Sequence, residues 1–190
     1  ARWVLVVEKE SVFFDLLARG FAVHCPAGVL VTGRGYADYT TRACLRALFE
    51  QQPELLFLYL GDFDPFGADI LLNYLFGSRL TVAERAQLPF LCPLGLGAAD
   101  CAALPAERGQ ELSGEDLARL AALLALEVFE AFDFRAGDSA WQTVMRAKLR
   151  AVRDDLLWMR RAGRKFEIEA LGGGEAVLDF LCAKLRAVFD

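Results

Sequence analysis

The first half of the chain alternates short apolar runs with amphipathic segments. A nearly continuous apolar run at 2–7 predicts a strand buried on both faces, runs at 28–31 and 55–60 predict two more strands, and a shorter run predicts a fourth strand at 90–94. The segments between them, at about 12–19, 38–51 and 66–76, have the apolar spacing of helices. Strands that alternate with helices predict a parallel sheet covered by helices on both faces.

The local signals for the first helix are specific enough to be tested. Ser11 is its expected N-cap, Phe13, Leu16 and Leu17 are its expected buried face, and Gly20 ends it.

The second half of the chain has a more helical pattern. Ser113 and Ser139 are expected N-caps of helices that run toward Phe132 and to about Ala162, with Gly163 as the stop of the second. A last helix is expected at 175–189, and 165–171 fits either a short strand or a helical turn. We therefore expect an α/β core over 1–105 and a mainly helical elaboration over 106–190 that packs on it.

Acidic residues follow two of the predicted strands. Glu8 ends the first strand, and Asp62 and Asp64 follow the third. In open α/β sheets, ligands bind at the carboxyl ends of the strands, so these acids should share one edge. Carboxylates that converge after a strand suit Mg²⁺, which takes oxygen ligands and keeps several waters. The alternatives are an Asx turn that caps the next helix and, for Glu8, a solvated strand end.

Basic residues and glycines follow the second strand. In the segment T-G-R-G-Y at 32–36, Arg34 and Gly35 can present a guanidinium and a backbone N–H to phosphate. Lys9 and Arg42 would extend this basic surface. The alternative is an ordinary glycine turn.

Composition bounds these hypotheses. The formal net charge is −5, which argues against autonomous DNA binding because nucleic-acid binders usually carry a basic surplus.

The five cysteines form no C-x-x-C pair, so we expect neither zinc nor a disulfide scaffold but an intracellular protein. No apolar run reaches the ~20 residues of a membrane span. The chain begins without Met and without a signal peptide, which predicts a piece of a longer protein.

Taken together, five motifs resemble the Toprim domain of two related enzymes. These are the A subunit of topoisomerase VI and its meiotic counterpart, the transesterase that makes DNA double-strand breaks. The motifs are V-V-E-K-E-x-x-F, V-T-G-R-G-Y-A-D-x-x-T-R, D-F-D-P-F-G-x-x-I, Y-L-F-G-S and the late E-I-E-A-L. The resemblance extends from residue 4 to about 97 and resumes at 155–171, and it leaves 100–150 unmatched.

The resemblance implies a Toprim (Rossmann-like) parallel sheet and a site for Mg²⁺. Glu8, Asp62 and Asp64 would hold the metal near the scissile phosphate, and Arg34 stands where lysine is common. Glu167 and Glu169 of the late motif are interpreted as structural. The nucleophilic tyrosine belongs to an upstream winged-helix domain that this sequence lacks, so the chain would be half of a composite site and inactive alone.

The wider expectations also come from the resemblance. They are a nuclear protein that initiates meiotic recombination, binds double-stranded DNA, forms a homodimer in its full-length form and pairs with a topoisomerase VI B-like subunit. The alternatives are a topoisomerase VI protein of the A type, a metal-dependent Toprim nuclease or primase, and an interaction domain. A phosphoacceptor receiver domain is disfavoured, because it needs a lysine at a later strand end and none occurs between Lys9 and Lys148.

Overall fold

The computed structural model describes residues 2–77, 87–131 and 139–189. Four parallel strands form the main sheet in the order β2-β1-β3-β4. Their bounds are Trp3–Val7 (β1), Gly28–Thr32 (β2), Leu56–Leu60 (β3) and Cys92–Pro93 (β4). The predicted parallel α/β sheet is therefore confirmed.

All four predicted strand lengths need correction, and β1 and β3 each begin one residue later than predicted, at Trp3 and Leu56. The fourth strand has two residues instead of five, because only Cys92 and Pro93 pair with β3. Its brevity suits an edge position, where a proline costs no ladder hydrogen bond. The strand β2 is one residue longer than predicted, since Thr32 still pairs with Val7.

Strand β1 lies in the centre of the main sheet and forms the heart of the core. All five of its side chains are buried, because β2 and β3 pair with it on either side and helices cover both faces. This burial explains why the strand is apolar at every position and does not alternate.

The described residues form nine α-helices. They are Glu10–Ala18 (α1), Phe21–His24 (α2), Tyr39–Gln51 (α3), Pro65–Phe76 (α4), Ala98–Ala103 (α5), Gly114–Leu124 (α6), Val128–Ala131 (α7), Ala140–Ala162 (α8) and Gly174–Phe189 (α9). Two short 3₁₀ helices span Ala106–Arg108 and Ile168–Leu171, and Gln110–Glu111 (β5) pairs antiparallel with Arg164–Lys165 (β6).

The first helix begins earlier than the sequence predicted. Its N-cap is Lys9 and not Ser11, so the chain turns from β1 into α1 almost at once. Leu16 is buried as expected, but Leu17 is 47% exposed. Val12, one turn before Leu16, is the other buried residue of this helix.

The long helix α8 confirms its sequence signals. Ser139 forms a capping box with Gln142, and Gly163 ends the helix in the left-handed region. The helix that Ser113 caps ends at Leu124, and Phe132 lies outside the described residues. The ambiguous segment 165–171 contains both predicted forms, the end of β6 and a 3₁₀ turn. The proposed boundary near residue 105 stays a prediction.

Two cysteines contradict the expectation drawn from their spacing. The structure joins Cys25, just after α2, to Cys182 on α9 across 157 residues of sequence. No local pattern marks such a pair, because α2 and α9 meet only in the tertiary fold.

Among the described helices, none is long and apolar enough to cross a membrane.

Candidate metal centre

The three predicted acids lie at the carboxyl ends of the adjacent strands β1 and β3. The backbone N–H of Glu8 donates to the carbonyl of Leu60 at 2.9 Å, so the exit of β1 is held beside the exit of β3. Gly61 leaves the space that Glu8 occupies, because a Cβ at this position would collide with the Glu8 carboxylate and approach the Tyr59 hydroxyl to 2.8 Å. A glycine directly after β3 therefore gives the Glu8 carboxylate and the Tyr59 hydroxyl room to meet at the site.

Glu8 is a largely buried carboxyl that accepts a hydrogen bond. The Tyr59 hydroxyl donates to Oε2 of Glu8 at 2.7 Å. Burial raises the pKa of Glu8 to about 7, the Tyr59 bond opposes that rise, and the charges of Asp62 and Asp64 add to it. The repulsion between these acids indicates that they share one electrostatic site, which a cation would relieve.

Asp62 has partners at both carboxylate oxygens. Its Oδ1 accepts from the backbone N–H of Ile168 at 2.9 Å, and its Oδ2 lies 2.9 Å from Nζ of Lys9. Burial raises the pKa of Asp62, whereas Lys9 and the Ile168 N–H oppose the rise. The side chain is only 7% exposed, so an ionised Asp62 depends on a neighbouring positive charge.

Asp64 begins helix α4. Its Oδ1 accepts from the backbone N–H of Gly67 at 2.6 Å, which makes Asp64 the N-cap, with Pro65 as the first helical residue. Gly67 is needed here because a Cβ would collide with the carbonyl of Asp62. Burial raises the pKa of Asp64 as well. The helix-cap alternative is therefore correct for Asp64, and it leaves Oδ2 outside that hydrogen bond.

The donor set fits magnesium in its chemistry. Oxygen atoms of buried carboxylates are the ligands that Mg²⁺ prefers, and it takes one or two of them together with waters and phosphate. Oε2 of Glu8 accepts from Tyr59 and Oδ1 of Asp64 accepts from Gly67, while Oδ2 of Asp62 pairs with Lys9. Within the described ranges, no three His, Cys, Asp or Glu side chains are already grouped tightly enough to hold a metal. A metal would therefore have to draw the carboxylates together.

The glycine turn after β2 lies beside Glu8. The backbone N–H of Gly35 donates to the carbonyl of Glu8 at 3.0 Å, and Gly35 has φ +88°. Arg34 also has a positive φ, and its side chain is 72% exposed while pairing with Glu10 at 3.0 Å. The turn thus presents an exposed guanidinium beside Glu10, and its contact with DNA stays a prediction.

Arg42 is placed differently from its sequence prediction. It is 5% exposed, and its guanidinium donates to the carbonyls of Ala37 and Asn73 at 3.2 and 3.0 Å and to the Asn73 side chain. A side chain enclosed in this way holds α3 against α4. We therefore correct its assignment from a DNA contact to a structural residue.

The late E-I-E-A-L segment reaches the acids, which the sequence alone did not indicate. Phe63 and Phe166 exchange both backbone hydrogen bonds, at 2.8 and 2.9 Å. This pairing brings Glu167 and Glu169 to 3.3 Å from Nζ of Lys9. The two acidic motifs are about a hundred residues apart in sequence, so only the tertiary fold shows that these glutamates belong to the site.

Glu8→Gln should stabilise the metal-free protein at alkaline pH. Since the pKa of Glu8 is about 7 in the folded chain and 4.5 for an ordinary glutamate, the folded state holds the proton more tightly. The stabilisation of the fold by protonated Glu8 is complete below about pH 4.5 and is lost as the pH rises through 7. Removing the charge should raise the free energy of unfolding at pH 8 by up to about 3 kcal/mol.

This effect can be measured by urea unfolding in chelator at pH 4 and pH 8. Glu54→Gln, at an exposed glutamate outside the site, is the matched control and should leave the pH dependence unchanged. An identical loss of stability between the two pH values in wild type and Glu8→Gln would contradict the account of Glu8.

The fold and the acids at its strand ends define a Toprim-type α/β domain. A family model that describes the Toprim domain shared by topoisomerase 6 proteins of the A type and Spo11 matches residues 3–185, and the chain belongs to this family. The match includes 100–150, the region that the motif resemblance left unmatched.

Relatives from several organisms are similar to this chain. A meiotic recombination protein SPO11-2 of Oryza sativa subsp. indica is 31% identical over 174 residues, 90% of this chain and 40% of that protein. SPO11-1 of Arabidopsis thaliana is 33% identical over 175 residues, 90% of this chain and 43% of that protein. The meiotic recombination protein W68 of Drosophila melanogaster is 45% identical over 80 residues, 42% of this chain and 24% of that protein. This chain spans about 40% of the length of the first of these relatives.

Proposed function

We propose that this chain is the magnesium-binding half of a composite DNA-breaking site that forms meiotic double-strand breaks to initiate recombination. The observation that carries the proposal is the position of Glu8, Asp62 and Asp64 at neighbouring strand ends of a chain in this family. The names of the relatives, which are meiotic recombination proteins, favour this role over that of a topoisomerase component. A role in breaking chromosomal DNA implies that the protein acts in the nucleus.

The residues of the site divide the work of holding a divalent cation. Tyr59 orients Glu8, and the turn of α4 orients Asp64, so each carboxylate has one oxygen fixed by a hydrogen bond. Lys9 pairs with the buried Asp62 at 2.9 Å and opposes the rise in its pKa that burial causes. When bound, Mg²⁺ would stabilise negative charge on a phosphate during phosphoryl transfer.

The chemistry requires a tyrosine from outside this site. In a transesterification, a phenol oxygen forms the bond to phosphorus, the bond to a deoxyribose oxygen breaks, and the phenol proton ends on that leaving oxygen. Tyr59 and Tyr74 are buried within the core, so neither can reach a DNA phosphate. Tyr36 and Tyr39 are exposed, but they match Toprim positions and not the nucleophile. The partners we propose are double-stranded DNA, a second full-length copy and a topoisomerase VI B-like subunit.

The proposed function can be tested in fission yeast, whose meiotic recombination protein rec12 is 33% identical to this chain over 131 residues. A chimera that carries this chain in place of the matching rec12 region should restore meiotic recombination in a rec12-deficient strain. The same chimera with Asp64→Asn should not restore it at equal protein level. A stable chimera that restores recombination equally well with Asp64→Asn would contradict the proposal.

Used alone, the chain should not cleave DNA. Incubation with supercoiled plasmid and Mg²⁺, followed by denaturation, should yield no covalent protein–DNA adduct, because the proposed nucleophile belongs to another domain. A covalent adduct formed by the chain alone would contradict the proposal that the chain supplies only half of the active site.

Arg34→Ala should weaken binding of the chimera to a DNA duplex by about fivefold and lower the slope of log affinity against log salt by about one, as expected for one lost phosphate contact. Fluorescence anisotropy over a salt series measures both. The matched control is Arg19→Ala, which removes another ion-paired arginine at the far end of α1. Equal affinities of Arg34→Ala and wild type across the series would exclude the contact.

A further inference from the structure

The Lys9 ammonium is bound by three carboxylates from two distant parts of the chain. Its Nζ lies 2.9 Å from Oδ2 of Asp62, 3.3 Å from Oε2 of Glu167 and 3.3 Å from Oε2 of Glu169. An ammonium has three N–H donors, so it can engage all three acids. Lys9 therefore occupies the position of a small cation among converging carboxylates.

The three carboxylates differ in how far they are buried. Asp62 is 7% exposed, whereas Glu167 and Glu169 are 49% and 43% exposed. Desolvation of an unpaired carboxylate costs several kcal/mol, so an ionised Asp62 needs a counter-charge. The exposed glutamates have no such need, because water solvates them.

A divalent cation that binds Asp62 must compete with Lys9. The Ile168 N–H already occupies Oδ1 of Asp62, and the backbone of that segment is fixed by the pairing of Phe63 with Phe166. The lysine side chain is the movable partner, since it ends a flexible four-carbon stem. Movement away from Asp62 by a small rotation leaves the ammonium next to the two glutamates.

We propose that Lys9 is a tethered cation that neutralises Asp62 in the metal-free protein and moves onto Glu167 and Glu169 when a divalent cation binds. This inference rests on the proposed function, because it concerns the same metal site. In it, the two glutamates are positioning residues that act through Lys9 and do not touch the metal. The E-I-E motif then has a role in metal binding beyond the structural one expected from the sequence.

The proposed movement of Lys9 predicts opposite changes in metal affinity when Lys9 is removed and when the two glutamates are neutralised. Lys9→Met removes the competitor and should strengthen Mn²⁺ binding by about tenfold. The double variant Glu167→Gln, Glu169→Gln removes the alternative position of the ammonium, so it should weaken binding by about tenfold. In the Lys9→Met background the same two glutamine substitutions should change affinity less than about threefold, because no ammonium remains to be accommodated.

Isothermal titration of the chain with Mn²⁺ tests these expectations, at an ionic strength high enough to screen long-range charge. Lys184→Met is the matched control, since Lys184 forms a 2.9 Å ion pair with Asp100 outside the site, and its Mn²⁺ affinity should equal that of wild type. Urea unfolding of each variant confirms that it is folded at the titration temperature.

The outcomes separate this inference from the proposed function. If the two glutamine substitutions lowered Mn²⁺ affinity equally with and without Lys9, the proposed movement of Lys9 would be overturned and the glutamates would be direct ligands. Lys9→Met that binds no more tightly than wild type would also overturn it, while the metal site would stand. Binding by Lys9→Met but not by wild type would support it strongly. Absence of Mn²⁺ binding in every folded variant would overturn the metal site itself.

Discussion

Asp62→Asn should lower the affinity of the chain for Mn²⁺ by about 100-fold or more, since even residues that only support a metal ligand contribute tenfold to 100-fold. Asparagine has nearly the same shape as aspartate, and its carbonyl oxygen can still accept from the Ile168 N–H. What disappears is the negative charge that lies 2.9 Å from Nζ of Lys9. The expected loss is therefore one of charge and not of fold.

Calorimetric titration with Mn²⁺ measures this effect. Asp15→Asn is the matched control, because Asp15 also pairs with a basic residue at 2.9 Å but lies on α1 outside the site; its affinity should remain that of wild type. An Asp62→Asn variant that is folded and binds Mn²⁺ as tightly as wild type would remove Asp62 from the metal centre.

Phe166→Ala should destabilise the protein by about 3–5 kcal/mol, the usual cost of truncating a buried aromatic side chain. Phe166 is 2% exposed, and its ring packs against Trp158 with centroids 6.2 Å apart. The ring also covers Gly109, where a Cβ would approach it to 2.7 Å. No neighbouring element can collapse easily into the space, because backbone pairing with Phe63 fixes the position of residue 166.

Urea unfolding monitored by circular dichroism tests this prediction, with an unchanged denaturant slope as a check that the transition stays two-state. Phe14→Ala is the control, since Phe14 is 56% exposed and should cost less than about 1 kcal/mol. A loss below about 1 kcal/mol for Phe166→Ala would mean that the late segment is not firmly packed against the site.

The two predictions are linked through one segment. Phe166 holds the strand-like contact with Phe63, and this contact places the Ile168 N–H on Asp62 and the two glutamates beside Lys9. A loosened late segment should therefore weaken metal binding even though Phe166 itself has no polar side chain. The stability of the fold and the arrangement of the acids depend on the same packing.

Local patterns were sufficient for much of the architecture. The apolar runs predicted the three main strands, most clearly β1, because a strand that is buried on both faces must be apolar at every position. Strand β2, at the edge of the sheet, is only partly buried. Ser139 and Gly163 marked the ends of α8 because capping is a local interaction between a side chain or a left-handed residue and the nearest turn. The same reasoning placed Glu8, Asp62 and Asp64 at one edge of the sheet.

Contacts between distant residues were beyond such patterns. The burial of Arg42, the pairing of Cys25 with Cys182 and the position of Glu167 and Glu169 beside Lys9 all depend on which elements meet in space. The local signal for the start of α1 was also misleading, because the tight exit from β1 made Lys9 and not Ser11 the N-cap.

The sequence by itself determined the class of fold, the edge at which the acids lie and, through five motifs taken together, the resemblance to the family. These follow from periodicity and from the rule that parallel strands end at a common edge. Only the tertiary structure decided how the acids are neutralised, since the charge that Asp62 needs comes from Lys9 and the N–H from Ile168, which is 106 residues away. Packing brings such groups together, and no short-range pattern records it.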